Sequence, residues 1–166
     1  MFIKSSAFIE GDIDDRYGGR GGVFIGPMST PSFPFEICEA PSGTITFAVI
    51  FDDPDAVGPQ GFVWIHWLVS GLKKTSLPEN ASRTDVELVQ GVTSWYPRRL
   101  DDQLASCFYG GPNPPDKPHV YSFRVYALDY DPGLKTGFTL DELLTAIEGH
   151  CLDSAELRGR YLPKSA

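Results

Sequence analysis

Three segments of the chain concentrate β-branched and aromatic side chains in short runs, which is typical of β-strands. They cover residues 44–51, 62–70 and 119–129. In the second segment Trp64, His66 and Leu68 are spaced two apart, so we expect them to share one face of the strand. Because both faces of this strand are apolar, we predict a central strand in which His66 is buried.

Helical periodicity is confined to the last part of the chain. The first predicted helix carries an apolar stripe formed by Leu140, Leu143, Leu144 and Ile147. Thr139 and Glu142 have the spacing of a capping box at its start. Asp153 and Glu156 repeat that spacing and predict a second, short helix before Gly159. The order of elements therefore predicts a mostly β protein with helices packed at its C-terminal end.

Length and charge narrow the class of protein. A chain of 166 residues is expected to form a single domain over residues 1–166. Its formal net charge of −8 disfavours nucleic acid and anionic membrane surfaces as partners, because both demand clustered cations. We expect no integral membrane association. The three cysteines are far apart and odd in number, which favours free thiols in a reducing, cytoplasmic setting.

Chemistry-bearing side chains cluster at the predicted strand ends. Asp53 and Asp55 follow the first strand, while His66 and His119 belong to the other two. If these strands pair, one cavity could hold both imidazoles, a carboxylate and the Gly/Pro-rich loop at residues 110–115. The plainer alternative is a satisfied core histidine in each strand and a simple Asp-Pro-Asp turn.

Catalysis and metal binding are weaker interpretations of the same residues. Asp53, His66 and His119 could form a 2-His-1-carboxylate set, but no closely spaced His-x-His pair supports a metal. Ser106 and Cys107 lie near the loop in sequence, yet there is no Gly-x-Ser-x-Gly nucleophile elbow. The pattern favours binding over turnover, with no cofactor and no metal.

Four segments in a fixed order carry a family resemblance. They are Asp53-Pro54-Asp55-Ala56, Trp64-Ile65-His66-Trp67, Tyr109-Gly110-Gly111-Pro112-Asn113-Pro114-Pro115 and His119-Val120-Tyr121. Together they resemble the phosphatidylethanolamine-binding protein family. The tail, at residues 143–150 and 156–161, is similar to its bacterial and archaeal branch, usually called Raf-kinase-inhibitor-like. The resemblance covers residues 8–161.

This resemblance implies two packed antiparallel β-sheets with C-terminal helices. It also implies a small pocket that binds anions such as phosphate and phospholipid headgroups. The residues matching the family's pocket lining are Asp53, Asp55, His66, His119 and Tyr121, and those matching its rim are Gly111, Pro112, Asn113 and Pro114. An imidazole can donate a hydrogen bond to an anion oxygen, and Asp53 or Asp55 would orient an imidazole or accept from a headgroup ammonium.

The chain departs from the family pattern at three places. Val57 replaces the proline that usually follows Asp-Pro-Asp-Ala, and Asn113 replaces the cysteine of the bacterial Gly-Pro-Cys-Pro-Pro motif. An apparent insertion spans residues 98–106 and is expected to affect the pocket mouth.

Family members include lipid-headgroup binders, kinase-cascade inhibitors, flowering regulators and serine-protease inhibitors. For this chain we expect a non-catalytic binding protein with an anion or phospho-headgroup pocket, which regulates a partner protein. One alternative is inhibition of a kinase or serine protease through the surface segment 94–106. Another is a hydrolase that uses His119 as a base. The C-terminal helices leave a homodimer open.

Overall fold

The computed structural model describes residues 1–164. The strands of this region are β1 (Phe2–Lys4), β2 (Phe8–Ile9), β3 (Asp12–Ile13), β4 (Phe24–Ile25), β5 (Met28–Ser29), β6 (Phe35–Cys38), β7 (Thr46–Asp53), β8 (Trp64–Leu72), β9 (Ser76–Leu77), β10 (Val89–Gln90), β11 (His119–Leu128) and β12 (Cys151–Tyr161). The α-helices are α1 (Val57–Gln60), α2 (Ala81–Thr84) and α3 (Leu140–Ile147). Short 3-10 turns cover Asp15–Tyr17, Gly19–Gly21, Pro54–Ala56 and Leu104–Ser106.

A large sheet and a smaller one form the framework. The large sheet has the order β10-β8-β7-β11-β12-β3-β2, and the smaller one the order β1-β6-β9. Neighbouring strands are antiparallel except for the single pairing of β12 with β3. β4 and β5 form a separate hairpin. The predicted fold class, mostly β with packed antiparallel sheets, is confirmed, and the three predicted strands correspond to β7, β8 and β11.

The main core lies between the two sheets and is built around Phe33. Its ring is fully buried and makes edge-to-face pairs with five others, the most distant being Tyr17 at 6.3 Å. Ring centroids lie 4.9 Å away for Phe123, 5.3 Å for Phe8 and Phe51, and 5.5 Å for Tyr109. Such edge-to-face pairs add specific geometry to the burial of aromatic surface. This core fixes the inner face of the large sheet next to the site described below.

Helix α3 covers the opposite face of the large sheet. Leu143 and Ile147 pack with Ile50 and Leu68 of the central strands. The capping box predicted at Thr139 is present, with the hydroxyl accepting from the Glu142 N–H and the Glu142 carboxylate accepting from the Thr139 N–H. The first predicted helix is confirmed. Among the helices of residues 1–164, none has the length and hydropathy that a membrane crossing requires.

The second predicted helix is wrong, because residues 151–161 form strand β12. This strand pairs along the whole of β11, from His119 opposite Tyr161 to Leu128 opposite Cys151. The Asp153 carboxylate accepts from the N-terminal ammonium and from the next N–H instead of capping a helix. Side chains alternate between more and less buried positions along the segment. This alternation is typical of a strand, and the backbone hydrogen bonds to β11 stabilise it more than a local helix cap could.

Candidate functional site

A cavity of about 400 Å³ opens at one end of the central strands. Strand β7 contributes Asp53 to its wall, β8 contributes His66, and β11 contributes His119 and Tyr121. The Gly/Pro-rich loop at residues 110–115 closes one side. The structure therefore brings together, in one cavity, Asp53 and Tyr121, which are 68 positions apart in the sequence.

A β-bulge turns His66 into this cavity. Phe51 of β7 pairs with Trp67, but the next residue, Asp52, pairs with Ile65, so His66 is an extra residue in its strand. A bulge of this kind re-aims a side chain without ending the sheet. His66 thereby lies on the inner side of the sheet together with Trp67.

The contacts of His66 confirm this orientation and correct the sequence interpretation. Its ring centroid lies 5.4 Å from that of Phe51 and 5.2 Å from that of Tyr121, both on the inner face. Leu68 packs on the other face, under α3. The prediction that His66 and Leu68 share a face is wrong, because the bulge shifts the alternation between them. The prediction that His66 is buried is confirmed.

The protonation of His66 is set by one backbone contact and by burial. Its Nδ1 lies 2.6 Å from the carbonyl oxygen of Gly110, and because a carbonyl only accepts, Nδ1 carries the proton. Burial lowers the pKa of His66 to about 4, against the opposing charge of Asp53. The ring is therefore neutral at pH 7, and Nε2 presents a lone pair.

Asp53 is fixed at both carboxylate oxygens. Oδ1 accepts from the N–H of Ala56 at 3.1 Å and so caps the 3-10 turn that follows β7. Oδ2 lies 2.7 Å from Nδ1 of His119. The residue is only 4% exposed, so these hydrogen bonds compensate for a carboxylate removed from water. Asp53 thus orients the imidazole of His119, as expected.

His119 is held between two carboxylates. Its Nδ1 contacts Asp53, and its Nε2 lies 2.9 Å from Oδ1 of Asp116 on the loop before β11. Toward an ionised carboxylate, which only accepts, a ring nitrogen makes a hydrogen bond as the donor. In this arrangement neither nitrogen is free to donate to a ligand. His66 therefore presents an acceptor to the cavity, and both ring nitrogens of His119 face carboxylates.

Tyr121 supplies the free donor of the cavity wall. Its hydroxyl is buried and makes no well-formed hydrogen bond within residues 1–164, although the Asp53 carboxylate and the backbone N–H of Asn113 lie near it. Burial, reinforced by the charge of Asp53, raises the pKa of Tyr121 well above its usual range, so the phenol keeps its proton. An unpaired buried hydroxyl is costly unless something completes its hydrogen bond. Tyr121 is thus the wall residue best placed to donate to an anion.

The loop at residues 110–115 is locked in position by its backbone. Gly111 donates its N–H to the carbonyl of Ser29 at 2.9 Å, and the Ser29 hydroxyl donates to the Gly111 carbonyl at 3.0 Å. A Cβ on Gly111 would collide with the carbonyl oxygen of Tyr17, so only glycine fits there. Gly111, Asn113 and Pro114 line the cavity as the resemblance implies.

Two of the residues assigned to the pocket by motif lie behind its wall. The Asp55 carboxylate accepts from the N–H of Val120 at 2.9 Å and thereby ties the turn after β7 to the start of β11. The Pro112 carbonyl accepts from the N–H of Gly19 at 2.7 Å. Neither residue lines the cavity. We therefore correct the predicted place of Asp55 and Pro112 from the lining and rim to its support.

Sequence patterns missed several residues of the wall. Trp95 meets the rings of both Trp64 and His66 edge-on, with centroids 5.3 and 5.2 Å away. Arg99 and Lys164 also line the cavity, and because both are exposed they lie at its open side. The only sequence signal for them was the unusual segment at residues 94–106, which contains Trp95 and Arg99.

The candidate nucleophiles and metal ligands do not assemble a centre. The hydroxyl of Ser106 donates to the Gln103 carbonyl at 2.7 Å, and the thiol of Cys107 lies 3.3 Å from the same oxygen. Burial raises the pKa of that thiol, and neither residue lines the cavity. In the described part of the chain, no group of three His, Cys, Asp or Glu side chains has the arrangement of a metal site.

Two packed β-sheets with an Asp–His pocket at the strand ends define a class of β-sandwich protein with a small polar ligand cavity. The sequence profile described as "Phosphatidylethanolamine-binding protein" matches residues 4–162. The chain belongs to the phosphatidylethanolamine-binding protein family, which confirms the resemblance found in its motifs.

Relatives of known sequence and structure agree with this assignment. The uncharacterized protein YxkA of Bacillus subtilis is 38% identical over 89% of this chain and 88% of its own length. A UPF0098 protein of Methanothermobacter thermautotrophicus is 35% identical over 97% of this chain and 98% of its own.

Two crystal structures show the same fold. The phosphatidylethanolamine-binding protein homolog CT736 of Chlamydia trachomatis superposes with a TM-score of 0.77 at 30% identity, covering 96% of this chain and 95% of the other. YbcL of E. coli, described as a member of the mammalian family, gives a TM-score of 0.74 at 26% identity and 96% coverage of both chains.

Proposed function

We propose that this chain is a non-catalytic binding protein whose cavity takes a small anionic ligand, such as inorganic phosphate or a phosphate-bearing headgroup. The observation that carries the proposal is the convergence of buried Asp53, His66, His119 and Tyr121 on one cavity of headgroup size. Polar side chains this well buried are costly in a protein wall that has no ligand to receive.

Attraction of an anion comes from one buried donor and from cations at the opening. The Tyr121 hydroxyl donates from the wall, and Arg99 and Lys164 supply positive charge at the open side of a chain whose net charge is −8. Hydrogen bonds to charged groups contribute roughly 1.5–3 kcal/mol each before the costs of association. The carboxylate of Asp53 opposes an anion, so we expect weak, reversible binding.

Turnover is disfavoured by the same geometry. A hydrolase that used His119 as a base would need a ring nitrogen free to take a proton, and both face carboxylates. Ser106 and Cys107 lie outside the cavity wall.

Inhibition of a kinase or protease through segment 94–106 stays a prediction. Trp95 and Arg99 of that segment line the cavity, so a partner protein bound there would also contact the cavity mouth. A cytoplasmic location, a homodimer and the lack of nucleic-acid partners stay predictions as well.

Titration with inorganic phosphate tests the proposal. The ring protons of His66 and His119, followed by NMR at constant ionic strength, should shift saturably at millimolar phosphate. Tyr121→Phe should weaken binding about fivefold or more, because it removes the free donor. Tyr126→Phe is the matched control: Tyr126 lies on the same strand but packs on the other face, beneath α3, and should leave the affinity unchanged. Imidazole signals that do not respond to phosphate would refute the proposal.

A further inference from the structure

We infer, resting on the proposed function, that the cavity selects ligands whose phosphate carries a proton, namely singly protonated phosphate monoesters, over phosphodiesters. The distinguishing group is Nε2 of His66. A monoester monoanion can donate its P–OH to this lone pair, whereas a diester offers acceptors alone.

The orientation of the His66 lone pair follows from geometry. Nδ1 is occupied by its 2.6 Å bond to the Gly110 carbonyl, and Gly110 in turn donates its N–H to the His66 carbonyl at 3.0 Å. This reciprocal pair fixes the tautomer and the ring plane. The rings of Trp95 and Tyr121 pack against the imidazole at steep angles, each with its centroid 5.2 Å away. Nε2 has no hydrogen-bond partner within residues 1–164, although the ring forms part of the cavity wall.

None of the charged and titratable groups around His66 donates a hydrogen bond to its Nε2. Asp53 is a carboxylate and only accepts. Both ring nitrogens of His119 face carboxylates, those of Asp53 and Asp116. Arg99 lies at the open side, and the donors of the wall are neutral groups, among them the Tyr121 hydroxyl and the backbone N–H of Asn113. A ligand entering this wall therefore meets at least two acceptors, Nε2 of His66 and the Asp53 carboxylate, besides these neutral donors.

Phosphate monoesters and phosphodiesters differ in the hydrogen bonds that they can make with this wall. A phosphodiester would place an oxygen lone pair against Nε2 and Asp53, and one of these groups would have to be protonated first. A monoester monoanion has the same charge but presents a donor to Nε2 while its other oxygens accept from Tyr121. Sites built to bond a ligand's hydroxyl reject analogues that lack it, because the buried partner is left unpaired.

The decisive measurement compares methyl phosphate with dimethyl phosphate by calorimetry on the full chain. Near pH 5 each carries about one negative charge, because the second pKa of a phosphate monoester is about 6. Charge is therefore matched and the P–OH is the difference. We expect methyl phosphate to bind at least about tenfold more tightly. Equal affinities would overturn the inference while leaving the proposed function intact, and failure of both esters and of inorganic phosphate to bind would overturn the proposed function.

A second arm follows the ligand proton. Raising the pH to about 8 strips the monoester of its P–OH and doubles its charge. If the hydrogen bond to Nε2 controls selection, methyl phosphate should bind more weakly at the higher pH despite its added charge, and dimethyl phosphate should change much less. Tighter binding of methyl phosphate at the higher pH would mean that charge alone controls affinity, and would overturn the inference.

Two variants test which residue causes the preference for methyl phosphate. His66→Gln replaces a fixed acceptor by an amide that can turn to donate, so the ratio of the two affinities should fall to within about threefold. Tyr121→Phe should weaken both esters alike and preserve the ratio. Circular dichroism establishes that each variant is folded, and the comparison of esters in the unaltered chain stands without them. An undiminished ratio in folded His66→Gln would contradict the role given to Nε2.

Other ligands show where the donor comes from. Glycerophosphoethanolamine is a diester with an ammonium group, and if it bound more tightly than methyl phosphate, the donor would be the ammonium and the inference would be wrong. Phosphatidylcholine vesicles with and without phosphatidate separate a lipid source of the monoester from a soluble one: retention on phosphatidate vesicles favours the lipid, and binding of inorganic phosphate without retention favours the soluble ligand.

Discussion

Two neighbouring carboxylates at the end of β7 have the same burial but very different surroundings. Asp53 points to the inner face of the large sheet and Asp52 to the outer one, and each is 4% exposed. Asp53 has a partner on both oxygens, Ala56 and His119. Asp52 is paired with the Arg124 guanidinium through one oxygen, and its other oxygen has no partner among the described residues.

The pKa of Asp52 shows what an ion pair alone achieves. Burial raises the pKa of Asp52 to about 6, with help from the charges of Asp53 and Glu156 and against the pull of Arg124. A close cation therefore does not offset the loss of water around this carboxylate. The inner face solves the same problem with two directed hydrogen bonds. Asp53 is thus held in a defined orientation by hydrogen bonds to both oxygens, whereas Asp52 is only paired with a cation.

Truncating each carboxylate in turn should have the largest effect on stability. Asp53→Ala leaves the buried ring of His119 without its partner and uncaps the turn at Ala56, so we expect a loss of about 3 kcal/mol in the free energy of unfolding. Asp52→Ala should cost about 1 kcal/mol, because the Arg124 side chain is 33% exposed and can turn to water. Urea unfolding at pH 7 measures both, and equal losses would contradict the distinction.

Stability as a function of pH should show opposite contributions from the two faces. The pKa of Asp52, about 6 in the folded chain against an ordinary 3.8, gives a stabilising contribution that is full below pH 3.8 and is lost as the pH rises through 6. The pKa of His66, about 4 against an ordinary 6.5, gives a contribution that is full above pH 6.5 and is lost as the pH falls through 4. Each is on the order of 3 kcal/mol, and in the native chain the two largely cancel.

Single substitutions should uncover each contribution. Asp52→Asn leaves that of His66, so stability should fall as the pH is lowered from 6.5 to 4. His66→Gln leaves that of Asp52, so stability should fall as the pH rises over the range 3.8 to 6. Urea midpoints recorded across this pH range are the measurement. Parallel pH profiles for the two variants would show that the faces do not titrate in opposite directions.

The elements that the sequence predicts are those with a clear periodicity and few competing signals. β7, β8, β11 and α3 all fall where the apolar pattern places them. The helix predicted near the end of the chain is wrong because Asp153 and Glu156 match a capping box. Ala155, Leu157 and Gly159 are the more buried residues of an alternating pattern, and this pattern prevails because β11 is available to pair. Tertiary pairing overrides a local motif there.

The site was predictable in its residue types and not in its geometry. Residue patterns point to Asp53, His66 and His119, since carboxylates and imidazoles at strand ends are uncommon in apolar segments. The bulge that turns His66 inward leaves no mark in the sequence, because it depends on the register with β7. The contributions of Arg99 and Lys164 depend on how distant loops close over the strand ends.

The smallest predicted effects on stability come from two adjacent residues of β11 that lie on opposite faces of the large sheet. Tyr121→Phe removes a buried hydroxyl that makes no well-formed hydrogen bond with the protein, so stability should be unchanged or slightly higher while phosphate binds more weakly. Ser122 lies on the outer face opposite Asp52, and its hydroxyl donates to Glu156 at 2.5 Å. Ser122→Ala should lower stability by less than about 1 kcal/mol and leave phosphate affinity unchanged. Urea unfolding and phosphate titration of both variants test this reciprocal outcome. A weaker affinity in Ser122→Ala would mean that the outer face is coupled to the cavity through β11, and the separation of the two faces would fail.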